Sequence, residues 1–333
     1  MKERIEYIDL AKGLCIMLVV FYHASGILNC TYWLSPFLNS FFLSLFFVLS
    51  GLFFNDGGSF RHFLLKKTNG LLVPFFSFYL LGSVLLPNLL HYVFGVHFGT
   101  SVGWESLWAF VWPGEYPNIP IWFLWCLFVM NVMFWGVRAV VEQFSSSCSL
   151  FAMFLLCCAI CVSGYGLKDT LGFDVGNVFE AMKAMPYFCL GYAFGVKGGL
   201  AKLDGMPVSR KAFVSLALLS VTFVVSMFLG SLSNYVSMVA GAAGAFMIIV
   251  FSSIVGRLPF VSYLGRYSII LLLTHGMLLR LSAPLCNWIS TFSTPYGAVF
   301  VIAGVVLLSY AVIIPLSCKF LPRLTAQLPL FRE

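Results

Sequence analysis

His23 lies deep in the first long apolar run, RIEYIDLAKGLCIMLVVFYHAS, and shares one helix face with Asp9 and Lys12. Eleven positions separate Lys12 from His23, almost three helical turns, so both side chains point the same way roughly 16 Å apart along the axis. A cation at the mouth and a titratable base further in suit a site that grips a long anionic ligand. A second histidine, His275, falls inside a later apolar run, YLGRYSIILLLTHGML. Ionisable groups at membrane depth are costly and mark pathways or sites. The plainer reading is a histidine satisfied by a neighbouring helix.

The elements that must position these residues are transmembrane helices. Of 333 residues, 61% are hydrophobic and only 9% charged, with a mean hydropathy of +0.97. In soluble domains about a quarter of residues carry charge. A span needs about 20 apolar residues, and ten stretches qualify: 10–28, 34–54, 71–94, 119–137, 149–165, 178–196, 212–229, 235–255, 263–285 and 296–318. The fifth is the weakest, being interrupted at Ser163-Gly164. The expected fold is all-α, a polytopic bundle of about ten transmembrane helices in a single domain over residues 1–333.

Charge gives that bundle a direction. With the N-terminus inside, all but three of the nineteen Lys and Arg fall at cytoplasmic ends or loops. The exceptions are Lys168, Lys183 and Arg280. This is a positive-inside pattern, and an even span number puts both termini in the cytoplasm. The net charge of +7 then reflects this asymmetry beside an anionic inner leaflet, and nothing calls for nucleic acid. The leading segment mixes Glu3, Glu6 and Asp9 with its cations and lacks a clear A-x-A site, so it reads as a retained first helix and not as a signal peptide.

Seven of the ten cysteines sit within spans and read as packing; Cys158-Ala-Ile-Cys161 has redox spacing but no thioredoxin-like surroundings. No Cys/His cluster has zinc spacing, so no metal is expected. Three loops stand out. Residues 55–70 carry Asp56, Arg61, His62, Lys66 and Lys67, residues 197–211 form a basic, glycine-broken linker, and residues 95–118 carry no Lys or Arg. In the last of these, Trp104, Trp108 and Trp112 follow an i, i+4, i+8 pattern that lines one stripe of a short helix. Those indoles would anchor at lipid headgroups, or offer a flat face to a sugar ring.

Several motifs recur in order along the chain. Asp9-x-x-Lys12-Gly13 leads into His23; the second span closes on Leu49-Ser50-Gly51; Pro74 opens the third; IPIWFLWCLFVMN opens the fourth; Leu264-Gly265-x-x-Ser268 leads into His275. Together they resemble the acyltransferase-3 family of integral membrane acyltransferases, in the short branch of fucose 4-O-acetylase-like proteins, over essentially the whole chain. The resemblance implies transfer of an acyl group, usually acetyl from cytoplasmic acetyl-CoA, to a hydroxyl on a glycan or lipid-linked sugar at a bacterial inner membrane. Its key histidine is matched by His23, and its basic residue eleven positions earlier by Lys12. Lys keeps a point charge for phosphate but lacks the bidentate fork of Arg. The chain departs from the pattern twice. Lys66 and Lys67 precede Pro74 where many members have Arg-x-x-Arg, with Asn69-Gly70 at the second Arg; Leu127 and Phe128 follow Trp122 where many members have acidic residues.

On this reading Lys12, Arg61, Lys66, Lys67 and Arg266 ring the inner side and bind the donor's phosphates, and Asp9 orients Lys12 at i+3. The donor's arm extends toward His23, which takes the acceptor's proton as a neutral base. His275 faces His23, hydrogen-bonds an oxyanion, or ties two helices together. Trp122 and Trp125 shape the acceptor's entrance, with Trp108 as a stacking surface. Acyl-CoA, the glycan acceptor and membrane lipids are the expected partners, and a homo-oligomer stays open. The alternative from another class is a proton-coupled transporter or exporter of a glycan or acylated metabolite, although neither an inverted repeat nor paired interrupted helices are evident.

Overall fold

The computed structural model describes residues 4–27, 33–56, 58–95, 103–111, 118–144, 149–282 and 294–331. The described residues are mostly helical, with no strand among them. We number the main helices α1 Glu6–Ile27, α2 Ser35–Leu52, α3 Phe60–Phe94, α4 Trp122–Phe144, α5 Ser149–Leu171, α6 Val178–Val196, α7 Val208–Val224, α8 Asn234–Val255, α9 Pro259–Arg266, α10 Ser268–Leu281 and α11 Val299–Phe320. By length and apolar composition eight helices can cross a bilayer, or nine if α9 and α10 count as one bent span. The protein is therefore a polytopic all-α membrane protein. Of the ten expected spans, the one outside this count is α6, where Glu180 and Lys183 lower the apolar character and Pro186 interrupts the run.

The chain divides into two compact units. The first contains residues 1–52, 194–271 and 278–315; the second contains 53–193, 272–277 and 316–333. In the first, α1 packs against α2, α8, α9 and α11, and α8 also packs against α2 and α7. Small residues allow close approach: a Cβ at Gly244 of α8 would lie 2.4 Å from the Cβ of Phe41 on α2. Without a hydrophobic drive between helices in lipid, such small-residue contacts carry much of the association.

The second unit is built on aromatic side chains. Phe54, Phe134, Phe188 and Tyr192 form one cluster, with Phe134 and Phe188 centroids 4.7 Å apart. Ring pairs of this kind add about 0.5–1.5 kcal/mol beyond burial. Here α5 runs unbroken through Ser163-Gly164, and Gly164 is a contact point, since a Cβ there would meet that of Met182 on α6 at 2.7 Å. What reads as a helix weakness is packing against the next helix.

Three features differ from the sequence expectation. The third span does not begin after a loop at residue 70; α3 starts at Phe60, capped by the Ser59 hydroxyl accepting from the His62 N–H, and runs 35 residues. Arg61, Lys66 and Lys67 are thus helical, on turns whose charge hides them from an apolar-run criterion. Within α3 the turns Thr68–Leu72 and Leu80–Leu85 widen to π geometry, each ending two residues before a proline, Pro74 and Pro87; Ser309–Ile313 does the same before Pro315. Proline lacks an N–H and its ring collides with the carbonyl four residues back, and a widened turn relieves both. The ninth span is not straight, because α9 and α10 meet at 85° about Tyr267.

The tryptophan stripe is the third correction. Residues Gly103–Leu107 form a 3₁₀ turn followed by hydrogen-bonded turns, not an α-helix. With three residues per turn, i and i+4 no longer share a face. Trp104 and Trp108 are individually exposed, at 80% and 54%. Trp112 lies outside the described residues.

Candidate functional site

The first unit holds His23, Lys12, Asp9 and Arg266; the second holds His275, Arg61, Lys66, Lys67, Trp108, Trp122 and Trp125.

In the first unit the motif glycines explain themselves. A Cβ at Gly13 would lie 2.0 Å from the Val261 carbonyl oxygen, and one at Gly265 would lie 1.8 Å from the Asp9 carbonyl oxygen. Gly13 of the Lys-Gly pair and Gly265 of the Leu-Gly pair are therefore two sides of one crossing between α1 and α9. No larger residue fits either position without parting the helices. The crossing fixes α1, on which Leu10, Ala11, Cys15, Ile16 and Val20 are fully buried. Lys12 and His23 are only half-buried on it, which keeps both reachable on an otherwise immobilised rod.

A cavity of about 230 Å³ opens at the start of this rod, lined by Arg4, Glu6, Asp9, Arg257 and Arg266, with Tyr263 and Tyr310 also on its wall. Asp9 receives two hydrogen bonds from the Arg4 guanidinium, at 2.5 and 3.1 Å. The expected orientation of Lys12 by Asp9 thus shares that carboxylate with a second cation. Arg257 pairs with Glu6 at 3.0 Å. Arg266, last residue of α9, lies over the Tyr267 ring at 5.6 Å and makes no ion pair among the described residues. In the sequence Arg4 and Arg257 stand out only as charges flanking apolar runs. Their convergence depends on the α1–α9 crossing, which has no local signature.

In the second unit Arg61 and Lys66 are exposed and Lys67 half-buried. The Lys67 ammonium lies 5.8 and 5.9 Å from the Phe63 and Phe54 ring centres, a cation–π arrangement that suits a lysine at the edge of an aromatic core. Asn69, at the position where the resemblance expects a second arginine, does different work. Its Oδ1 accepts from the N–H groups of Leu330 and Phe331 at 3.0 and 2.8 Å, and its Nδ2 donates to the Phe331 carbonyl at 2.9 Å. This side chain binds the end of the chain to α3.

Trp125 is enclosed by Phe75, Phe76 and Phe110, so its ring is part of a core cluster and not an open platform. Trp122 is half-buried, and Trp108 is the one of the three that presents an open face. His275 is fully buried. Beside it, Asn118, at the entry to α4, donates to the Leu273 carbonyl at 2.9 Å, while its backbone N–H is taken by Ser83 at 3.1 Å. A Cβ at Gly276 would lie 2.9 Å from Asn118 Oδ1, so this asparagine fits only because position 276 is glycine. Nothing in the loop before Trp122 announces that role.

These features define an integral membrane protein with polar groups held at fixed positions on packed helices. The acyltransferase-3 family, described as an acyltransferase domain, matches residues 5–314. The chain belongs to that family and is a membrane acyltransferase. No curated protein and no solved structure matches it.

Proposed function

We propose that the protein transfers an acetyl group from cytoplasmic acetyl-CoA to a hydroxyl of a cell-surface or lipid-linked glycan, as a multi-pass protein of a bacterial inner membrane with both termini inside. The observation that carries this reading is His23, half-buried on the helix that starts at the arginine-lined cavity and is locked by the Gly13–Gly265 crossing. His23 accepts the acceptor hydroxyl's proton as the oxygen attacks the thioester carbonyl. The C–S bond then breaks and the proton passes to the departing thiolate. General-base catalysis of this kind contributes typically 10²–10⁴-fold.

Lys12 supplies a point charge along the donor's path, and Asp9 and Arg266 belong to its phosphate end. Arg61, Lys66 and Lys67 are candidates for the same role at the start of α3. His275 is a second candidate for the catalytic centre, and Trp108 and Trp122 for acceptor contact; Trp125 serves by holding the aromatic cluster. The test is to incubate purified protein in detergent with acetyl-labelled acetyl-CoA and a membrane glycolipid extract, and to follow thioester loss and label transfer. Label should move to a glycan hydroxyl with wild type and not with His23→Ala. Label that enters no glycan while donor stays intact would remove the reading and turn attention to transport.

A further inference from the structure

We propose that the cavity between the start of α1 and the end of α9 is a phosphate site formed by Arg257 and Arg266, a proposal that rests, for its link to the donor, on the acetyl-CoA reading above. The three arginines on its wall are not equivalent. Arg4 is committed to Asp9 by two hydrogen bonds, and that carboxylate is only 10% exposed. Arg257 holds Glu6 by one contact, with 63% and 50% of the two side chains exposed. A pair so open to water is weak, so an incoming anion of higher charge can take its guanidinium. Arg266 has no ion-pair partner among the described residues, lines the cavity and lies over the Tyr267 ring. Counting each pair as neutral, the cavity carries one uncompensated positive charge and two guanidinium forks that can turn toward a ligand.

Size and position narrow the ligand. At about 230 Å³ the space falls below the roughly 300 Å³ of a pocket that encloses a whole small molecule. It fits one end group. Planar guanidinium forks match the oxygens of a phosphate bidentately, and Tyr263 and Tyr310 bring phenol groups to the same wall. Asp9 on this wall and His23 lie fourteen positions apart on one continuous helix, about 21 Å along its axis. A ligand anchored here by phosphate therefore needs a long, thin arm to reach the base. The phosphate of an inner-leaflet lipid headgroup presents the same chemistry at the same end of α1.

The experiment uses the full-length protein in nanodiscs of phosphatidylcholine, with or without phosphatidylglycerol. KM and kcat are measured for acetyl-CoA and for 3′-dephospho-acetyl-CoA with wild type, Arg257→Gln and Arg266→Gln, and thermal unfolding confirms that each variant is folded. A rise in KM for acetyl-CoA of about tenfold to a hundredfold at unchanged kcat, absent for the dephospho donor, assigns the pocket to the donor's 3′-phosphate. An equal rise for both donors assigns it to the pyrophosphate. Unchanged KM values with loss of phosphatidylglycerol co-purification assign it to a lipid phosphate. Variants that alter neither donor KM nor lipid retention overturn the site. Should wild type turn over no donor, the acetyl-CoA reading fails separately. Direct titration with adenosine 3′,5′-bisphosphate and phosphatidylglycerol then decides the pocket: binding weakened in both variants upholds it, and binding absent or unaltered removes it.

Discussion

The start of α1 and the start of α3 both carry cations at one end of an apolar helix, yet they use their polar groups in opposite ways. Along α1 the position of the helix against α9 is set by glycine backbone and aliphatic side chains, with Lys12 and His23 half-buried beside them. Along α3 the helix bends through π turns before Pro74 and Pro87, and several of its polar groups are tied into packing while Arg61 and Lys66 stay exposed. Lys67 rests against Phe54 and Phe63, Asn69 fastens residues 330–331, and the Tyr79 hydroxyl donates to the Ser106 carbonyl. A polar residue tied into packing is a poor candidate for chemistry. A polar residue on a rod that is rigid for other reasons is a good one.

The largest expected effect comes from breaking the α1–α9 crossing. Gly265→Val must push the helices apart, since even a Cβ would sit 1.8 Å from the Asp9 oxygen. It should cost at least about 1–3 kcal/mol of stability and abolish activity, read by thermal unfolding in detergent beside turnover. Gly26→Ala, where a Cβ meets nothing within 4 Å, is the matched control on the same helix and should be tolerated. A similar melting temperature for the two would refute the crossing as the anchor of α1.

Next is Asn118. Asn118→Asp places a carboxylate in a fully buried position and points it at the Leu273 carbonyl. It should destabilise more than Asn118→Ala, which loses a hydrogen bond of about 0.5–1.5 kcal/mol and the packing around it. Equal melting temperatures for the two would mean that water reaches the site. Asn69 sharpens the contrast further. Asn69→Ala removes three hydrogen bonds to residues 330–331, and limited carboxypeptidase digestion should trim the chain end faster while thermal stability falls only slightly. Unchanged trimming would show that the tail is held elsewhere. The smallest effect is expected at Glu6→Gln, which breaks only the exposed pair with Arg257. Stability should change by less than about 1 kcal/mol, and donor KM should fall as the arginine is freed.

Much of this was readable from the chain. Long apolar runs pointed to the helices, and the motif order from Asp9 to His275 pointed to the family. What stayed hidden shares one physical cause, which is that it depends on partners distant in sequence. Gly13 and Gly265 carry no sign of each other; the Val261 and Asp9 carbonyls that exclude a side chain appear only when α9 crosses α1. Arg4 looks like any cation flanking an apolar run until Asp9 is seen to hold it. The charged turns 60–67 read as a loop because hydropathy scores apolar length and not helicity. Trp104, Trp108 and Trp112 suggested a stripe because their spacing presumes 3.6 residues per turn, whereas Gly103–Leu107 winds tighter. Asn69 was recognisable as a departure from the family pattern, but its bonds to Leu330 and Phe331 span more than 260 positions.

On the proposed reading the half-buried histidine of α1 acts as a base on a helix whose position is set by the Gly13–Gly265 crossing. The most direct measurement follows acetyl-CoA thioester loss and label transfer by wild type, His23→Ala, His23→Gln and Lys12→Ala, each checked for an unchanged melting temperature. The account predicts that both His23 variants fold normally and lose about 10²–10⁴-fold in kcat, while Lys12→Ala chiefly raises donor KM. Near-wild-type kcat in a folded His23→Ala protein would contradict it.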